Sequence, residues 1–177
     1  KEQIMDAYRR ARKRGAERFG LHAMIVSNER SADILLTVVR SLGQIAQQLR
    51  RELGIDLEFI NIGGGLGIPY RPDDHPLDVQ ALAAGIAEVW HDAGLTGTKL
   101  FTEAGRYVTG PHGVLVTRVI NQKHSYRHYI GVDASMSSLM RPALYGAYHH
   151  IDVPGKALDD RAQICLLYTS DAADEED

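Results

Sequence analysis

Apolar residues recur along the first two-thirds of the chain in two alternating patterns. Ile4, Tyr8 and Ala11 fall at helical spacing within residues 2–14, where basic residues gather toward the end, and this predicts a helix. Residues 21–26 form a short apolar run, consistent with a buried strand. Leu35, Val38, Val39, Leu42, Ile45, Ala46, Leu49 and Leu53 then make one continuous 3.6-period stripe, the mark of a long amphipathic helix. Ser31 or Asn28 can cap its start, and Gly54 suits its end. Residues 57–62 are apolar and β-branched and run straight into three glycines. Asp78 opens a further helix, with Val79, Leu82, Ile86, Val89 and Trp90 turned inward and Gly94 closing it. Residues 99–102 read as the next strand.

Strands separated by such helices predict βα units and a parallel sheet. After Gly113 the pattern changes. Residues 114–120 and 128–132 are strand-like and are joined only by a polar turn around residues 124–127, which predicts a β-hairpin and a domain change near residue 112.

The 177-residue chain is 44% hydrophobic and 24% charged, which excludes collagen-like, coiled-coil and wholly disordered chains. No apolar run reaches the length of a membrane span. Of the 23 acidic residues five lie in the last thirteen positions, so the remaining 18 face 20 Lys and Arg. That near-neutral balance points to neither nucleic acid nor an anionic membrane as partner. The single cysteine, Cys165, allows no disulfide within the chain and no Cys-based metal site. From Cys165 the chain reads CLLYTSDAADE, which resembles the in-frame translation of a transposase sequencing adapter. Residues 165–177 are therefore expected to be a disordered tail outside the fold. Residues 1–164 are expected to be the middle of a longer protein.

Two stretches carry candidate chemistry. In NIGGGLGIPY, starting at Asn61, three glycines end a buried strand. Such a segment is either a tight strand-to-loop turn or a backbone cradle whose N–H groups meet an anion. It is not a dinucleotide fingerprint, because the glycine spacing differs and no helix follows at once. In Glu103-Ala104-Gly105-Arg106, at the end of the next strand, a carboxylate and a guanidinium form either a surface ion pair or part of a site. His149, His150 and Asp152 could suggest a metal, but adjacent side chains in an extended segment diverge, and no metal site is expected. Arg9, Arg10, Arg12, Lys13 and Arg14 read as a solvated helix face.

Four segments in order, GLHAMIVSNE at Gly20, NIGGGLGIPY at Asn61, TEAGRYVTGPHG at Thr102 and VDASMSSLMRPALYGAYHH at Val132, resemble the fold type III pyridoxal-phosphate decarboxylases. Within them the last segment, with Arg141-Pro142 and then Tyr145, looks most like the diaminopimelate decarboxylases. The resemblance implies an α/β fold: the C-terminal part of a (β/α)8 barrel that binds pyridoxal phosphate over residues 1–112, then the start of a β-domain over residues 113–164. It implies decarboxylation of a small amino acid, with meso-diaminopimelate giving lysine, in a cytoplasmic homodimer. Decarboxylases of ornithine, arginine or carboxynorspermidine, and a non-catalytic regulatory relative, are the alternatives.

The resemblance also implies roles. Gly63, Gly64, Gly65 and Ser27 would hold the cofactor phosphate, with Ala104, Gly105 and Arg106 beside it and Arg106 also near substrate. Glu103 would keep the pyridine nitrogen protonated, so that the ring accepts the electrons left by departing CO2. Arg141 and Tyr145 would bind substrate, Arg141 as a planar fork for a carboxylate. Met24 stands where many family members carry a ring-stacking histidine, and a thioether can pack on an aromatic face. His22 reads as a buried, hydrogen-bonded strand histidine. The lysine that carries the resting cofactor and a cysteine segment from the partner subunit are not among residues 1–164, so no catalytic residue is assigned in this chain, and the chain alone is expected to be inactive.

Overall fold

A computed structural model describes residues 2–126, 128–155 and 164–165. The chain divides into two units, residues 1–69 with 74–113, and residues 70–73 with 114–177.

The first unit is built from βα repeats. Helix α1 (Glu2–Lys13) precedes strand β1 (Gly20–His22), followed by α2 (Ala32–Leu53), β2 (Phe59–Asn61), α3 (Val79–Asp92), β3 (Lys99–Phe101) and α4 (Gly105–Thr109). A 3-10 turn, Gly110–His112, follows α4 near the end of the unit. The strands lie in the order β1-β2-β3, all parallel, with Leu21 opposite Ile60 and Ile60 opposite Leu100. Parallel neighbours joined by helices are the unit of the (β/α)8 barrel.

Local chemistry sets the helix ends. Ser31, not Asn28, caps α2, its side chain accepting the Ile34 N–H. Gly54 closes the helix in the left-handed region at φ 59°. Asp78 caps α3 by accepting the Ala81 N–H at 2.9 Å. The predicted stripe of α2 is buried at Leu35, Val39, Leu42, Ala46 and Leu49. On α3, by contrast, Val79 is exposed and Leu82 alone is fully buried.

Side chains alternate across the sheet. Leu21 and Ile60 turn toward the helices and join Leu42, Leu49, Leu57 and Leu95 in one core cluster. A second cluster of Leu35, Leu36, Leu77 and Leu82 lies beside it, with Tyr107 of α4 packed against it. The opposite face carries Phe59, His22, Asn61 and Phe101, and the Phe59 and Phe101 rings meet edge-on at 5.5 Å. The strands are shorter than the apolar runs predicted: Ala23 and Ile62 each donate one last bond, to Asn61 and to Phe101, and the chain then turns into the loops described below.

In the second unit, β4 (Val119–His124) and β5 (His128–Val132) form an antiparallel hairpin, and α5 (Arg141–Tyr145) follows. Residues 114–118 do not join the ladder, contrary to the expected strand start. The Asp133 carboxylate instead accepts the Arg118 N–H at 2.8 Å and the Thr117 hydroxyl at 2.7 Å, and those bonds hold its carboxyl below the usual carboxylate range. The backbone of β6 (Ile164–Cys165) pairs parallel with β5, Cys165 opposite Ile130. Cys165 is thus paired rather than outside the fold. Residues 166–177 of the expected tail lie outside the described residues. Among the described residues no helix is long and apolar enough to cross a membrane.

Leu49 has no exposed surface and sits at the centre of the larger cluster. Leu49→Ala is expected to lower unfolding stability by about 2–5 kcal/mol, measured by denaturant unfolding of the full-length protein that carries this segment.

Candidate functional site

The C-terminal ends of the three parallel strands form one rim, where barrels of this kind place their sites. β2 ends in Asn61 and runs through Ile62 into the glycine turn. The turn is clasped between the loop after β1 and the end of β3. A Cβ on Gly63 would collide with the Ala23 carbonyl oxygen, and one on Gly65 with that of Val26. On Gly64 it would lie 2.7 Å from the Glu103 carbonyl oxygen. Gly65 also sits at φ +89°, where a side chain is strained. The glycines therefore serve backbone packing first.

Hydrogen bonds fix the clasp. The Gly63 carbonyl accepts the Glu103 N–H at 2.8 Å and the Thr102 hydroxyl at 3.0 Å. On the other side Glu29 N–H donates to the Gly65 carbonyl, and Gly67 N–H to that of Glu29, both at 2.8 Å. Asn28, in the left-handed region at φ 52°, accepts the Ile68 N–H on its Oδ1. Ser27 is thereby held beside the turn, between Val26 and Asn28.

The amides of the turn do not form the row of free donors that the glycine run suggested. Gly63 N–H donates to Asn61 Oδ1 at 2.8 Å and Gly64 N–H to the Met24 sulfur at 3.1 Å. Of the three, Gly65 N–H is the one without a partner among the described residues. Met24 is half exposed and lies over Gly63 and Gly64.

Glu103 follows β3 by two residues. Its Oε1 accepts from Asn61 Nδ2 at 2.8 Å and lies 3.6 Å from His22 Nε2. Both contacts engage the same oxygen, which leaves Oε2 open. His22 corrects an expectation: its side chain is 49% exposed and faces the carboxylate rather than the core. A three-residue strand buried on one face explains this, since Leu21 takes the core side and its neighbour the other. Arg106, on α4, makes no ion pair with Glu103, and its guanidinium has no carboxylate partner among the described residues. The surface-pair alternative for these two residues therefore does not hold. Ala104 precedes α4, and Gly105 faces open space.

The rim thus gathers Met24, Ser27, the three glycines and Glu103, with His22 and Asn61 as members that residue-by-residue reading missed. Asn61 stood inside a recognised motif, and its register with His22 is what identifies it. The donor set suits pyridoxal phosphate: a carboxylate with one free oxygen, a hydroxyl and an unpaired amide beside a glycine turn, and an unpaired guanidinium.

In the second unit, Arg141 Nη1 donates to the Tyr70 hydroxyl at 2.7 Å, and its guanidinium carbon lies 5.4 Å from that ring centre. Tyr145, four residues on, is 75% exposed. His149 meets the Tyr70 ring edge-on at 5.8 Å. Burial, with the Arg141 charge nearby, pushes its imidazole below the usual histidine range. His150 instead bonds Tyr148 and Asp152. The adjacent histidines diverge.

Residues 2–110 match the family model described as the pyridoxal binding domain of the pyridoxal-dependent decarboxylases. The chain belongs to this family, whose pyridoxal-binding barrel it carries in part. It is 50% identical over 153 residues to Protein TabA of Pseudomonas amygdali pv. tabaci, covering 86% of this chain and 36% of that protein. With the diaminopimelate decarboxylase of Methanothermobacter thermautotrophicus it shares 40% identity over 162 residues, 89% of this chain and 38% of that enzyme. The solved diaminopimelate decarboxylase of M. jannaschii in complex with L-lysine superposes with TM-score 0.77 at 30% identity, over 83% of this chain and 35% of that one. The chain thus spans a little over a third of the length of the curated relatives it matches.

Gly65→Ala should destabilise the full-length protein by about 1–3 kcal/mol from backbone strain alone. Gly105→Ala, with open space at its Cβ, should change stability by less than about 1 kcal/mol. Thermal unfolding of the two variants checks the difference.

Proposed function

We propose that the full-length protein carrying this segment decarboxylates meso-2,6-diaminopimelate to L-lysine. The observation that carries the reading is the Glu103 carboxylate, held through Oε1 beside a clasped glycine turn at the strand ends. When bound, pyridoxal phosphate supplies an electron sink for the pair released as the substrate carboxylate leaves as CO2. Glu103 holds a proton at the pyridine nitrogen through its open Oε2. Asn61 fixes the carboxylate by its hydrogen bond to Oε1. Gly65 N–H, Ser27 and Arg106 offer donors and charge to the phosphate, with Gly63, Gly64, Ala104 and Gly105 keeping the backbone close. Met24 presents a polarisable thioether to the ring.

Substrate choice rests on the second unit. Diaminopimelate has a distal carboxylate that ornithine and arginine lack, and a carboxylate leaving water needs a matched cation. Arg141, already held by the Tyr70 hydroxyl, is that cation, and Tyr145 adds a donor. The similarity to enzymes named diaminopimelate decarboxylase and to a structure holding L-lysine supports this choice. The lysine/ornithine decarboxylase of Vibrio vulnificus, at 17% identity, shares the fold only. Protein TabA bears a name that states no reaction, so a second reading is a decarboxylase of the same site with another amino acid. The reading extends to a cytoplasmic homodimer, to a barrel part ending at residue 112 and to a β-domain beginning at residue 113.

In the full-length enzyme Glu103→Gln should retain much of the cofactor binding while lowering kcat about 10²-fold or more. Equal kcat in the two proteins would remove Glu103 from its role. Arg141→Ala should cost about 2–5 kcal/mol in kcat/KM for diaminopimelate. Substrates without a distal carboxylate should lose much less. Wild-type preference for ornithine or arginine, or equal losses on all substrates, would sink the diaminopimelate assignment.

A further inference from the structure

Asn61 is the last residue of β2 and stands in register with His22 and Phe101. Its carboxamide offers one acceptor atom and one donor group, and each is engaged at a different part of the rim. Oδ1 accepts Gly63 N–H, and Nδ2 donates to Glu103 Oε1. Turning the amide over would aim its NH2 at an N–H and its oxygen at a carboxylate. The network therefore allows one orientation. Among the described residues no other side chain hydrogen-bonds both the glycine turn and Glu103.

We propose that Asn61 is a positioning residue, a locked amide that ties the glycine turn to Oε1 of Glu103 and leaves Oε2 free for the ligand. Its role toward the ligand rests on the reading of Glu103 given above, whereas the tie itself does not. A free carboxylate rotates about its last side-chain bond, and one fixed oxygen removes that freedom. Because the fixing group is the same one that receives Gly63, a shift of the turn is felt at the carboxylate.

Two variants of the full-length protein separate the halves of the tie. Asn61→Asp keeps an acceptor for Gly63 but sets an oxygen against Oε1. Asn61→Ala removes both contacts. In the cofactor-free protein, amide hydrogen exchange of the peptide over residues 62–66 should rise about 10-fold in Asn61→Ala, as for a lost hydrogen bond of about 1.4 kcal/mol. It should stay near wild type in Asn61→Asp. Wild-type exchange in Asn61→Ala overturns the contact to the turn.

The second readout is Tm of cofactor-free protein from about pH 5 to 8. Two carboxylates this close resist ionising together, so they share a proton more tightly when folded than when unfolded. Stability from that proton is full at low pH and is lost as pH rises past the folded-state midpoint. Asn61→Asp should therefore fall below wild type increasingly toward pH 8. The double variant Asn61→Asp, Glu103→Gln restores a donor facing the acid and should abolish the trend. His22, the other ionisable group at Oε1, titrates in the same range and responds to both carboxylates, so all these proteins are compared in a His22→Gln background. A difference flat with pH, or one that persists in the double variant, overturns the contact to Glu103. If both readouts behave as expected while Glu103→Gln keeps full turnover, the tie stands and the cofactor reading fails.

Discussion

Backbone packed directly on backbone is the constraint from which the rim follows. The turn after β2 passes between two other main-chain segments, one after β1 and one after β3, closely enough that carbonyl oxygens occupy the space a Cβ would need at 63, 64 and 65. Side chains cannot be inserted there without parting the loops. The same contact makes the Glu103 N–H available to Gly63 and brings Val26 against Gly65. A glycine run read only as a ligand cradle would need free amides. Here two of the three amides are spent on Asn61 and Met24, so the run first builds the site and then offers a single donor to it.

Much of the first unit was legible because its signals are local. The α2 stripe repeats over five turns, and its caps are single residues whose side-chain or backbone chemistry determines them. Pattern alone left Ser31 and Asn28 tied as caps. The structure separates them, since Asn28 is drawn away to receive Ile68 N–H. The strands were overestimated for a related reason. Residues 23–26 and Ile62 are as apolar as the ladder residues before them, yet after one last bond each, from Ala23 N–H to Asn61 and from Ile62 N–H to Phe101, the chain turns into the loops. Met24 and Ile25 are exposed there, so apolar character by itself reports neither burial nor which partner takes the N–H.

His22 and Asn61 escaped residue-level reading because their meaning is relational. Each is a lone polar residue at the end of an apolar strand, and either could have been a satisfied core group. Only the pairing of His22 with Asn61 across β1 and β2 shows that both face away from the core and toward Glu103. In the second unit the missing signal was a competing acceptor. The Asp133 carboxylate takes Arg118 N–H, so a sequence with strand character over residues 114–118 stays outside the ladder. Likewise Tyr70 lies at the end of the glycine motif, and nothing in its neighbours reveals that it receives Arg141.

Core and site are the two faces of the same three strands. Leu21 and Ile60 lie on one side, His22 and Asn61 on the other, at adjacent positions of each strand. A one-residue slip of β2 would exchange Ile60 for Asn61, burying a carboxamide without its partners and exposing a residue that now has no accessible surface. It would also shift the glycine run within the clasp, setting Leu66 in place of Gly65 against Val26. The hydrophobic cost, the unsatisfied amide and the steric clash all oppose the slip in the same direction. The register that stabilises the fold is therefore the register that places Asn61 between the turn and Glu103, and no separate interaction is needed to align the site.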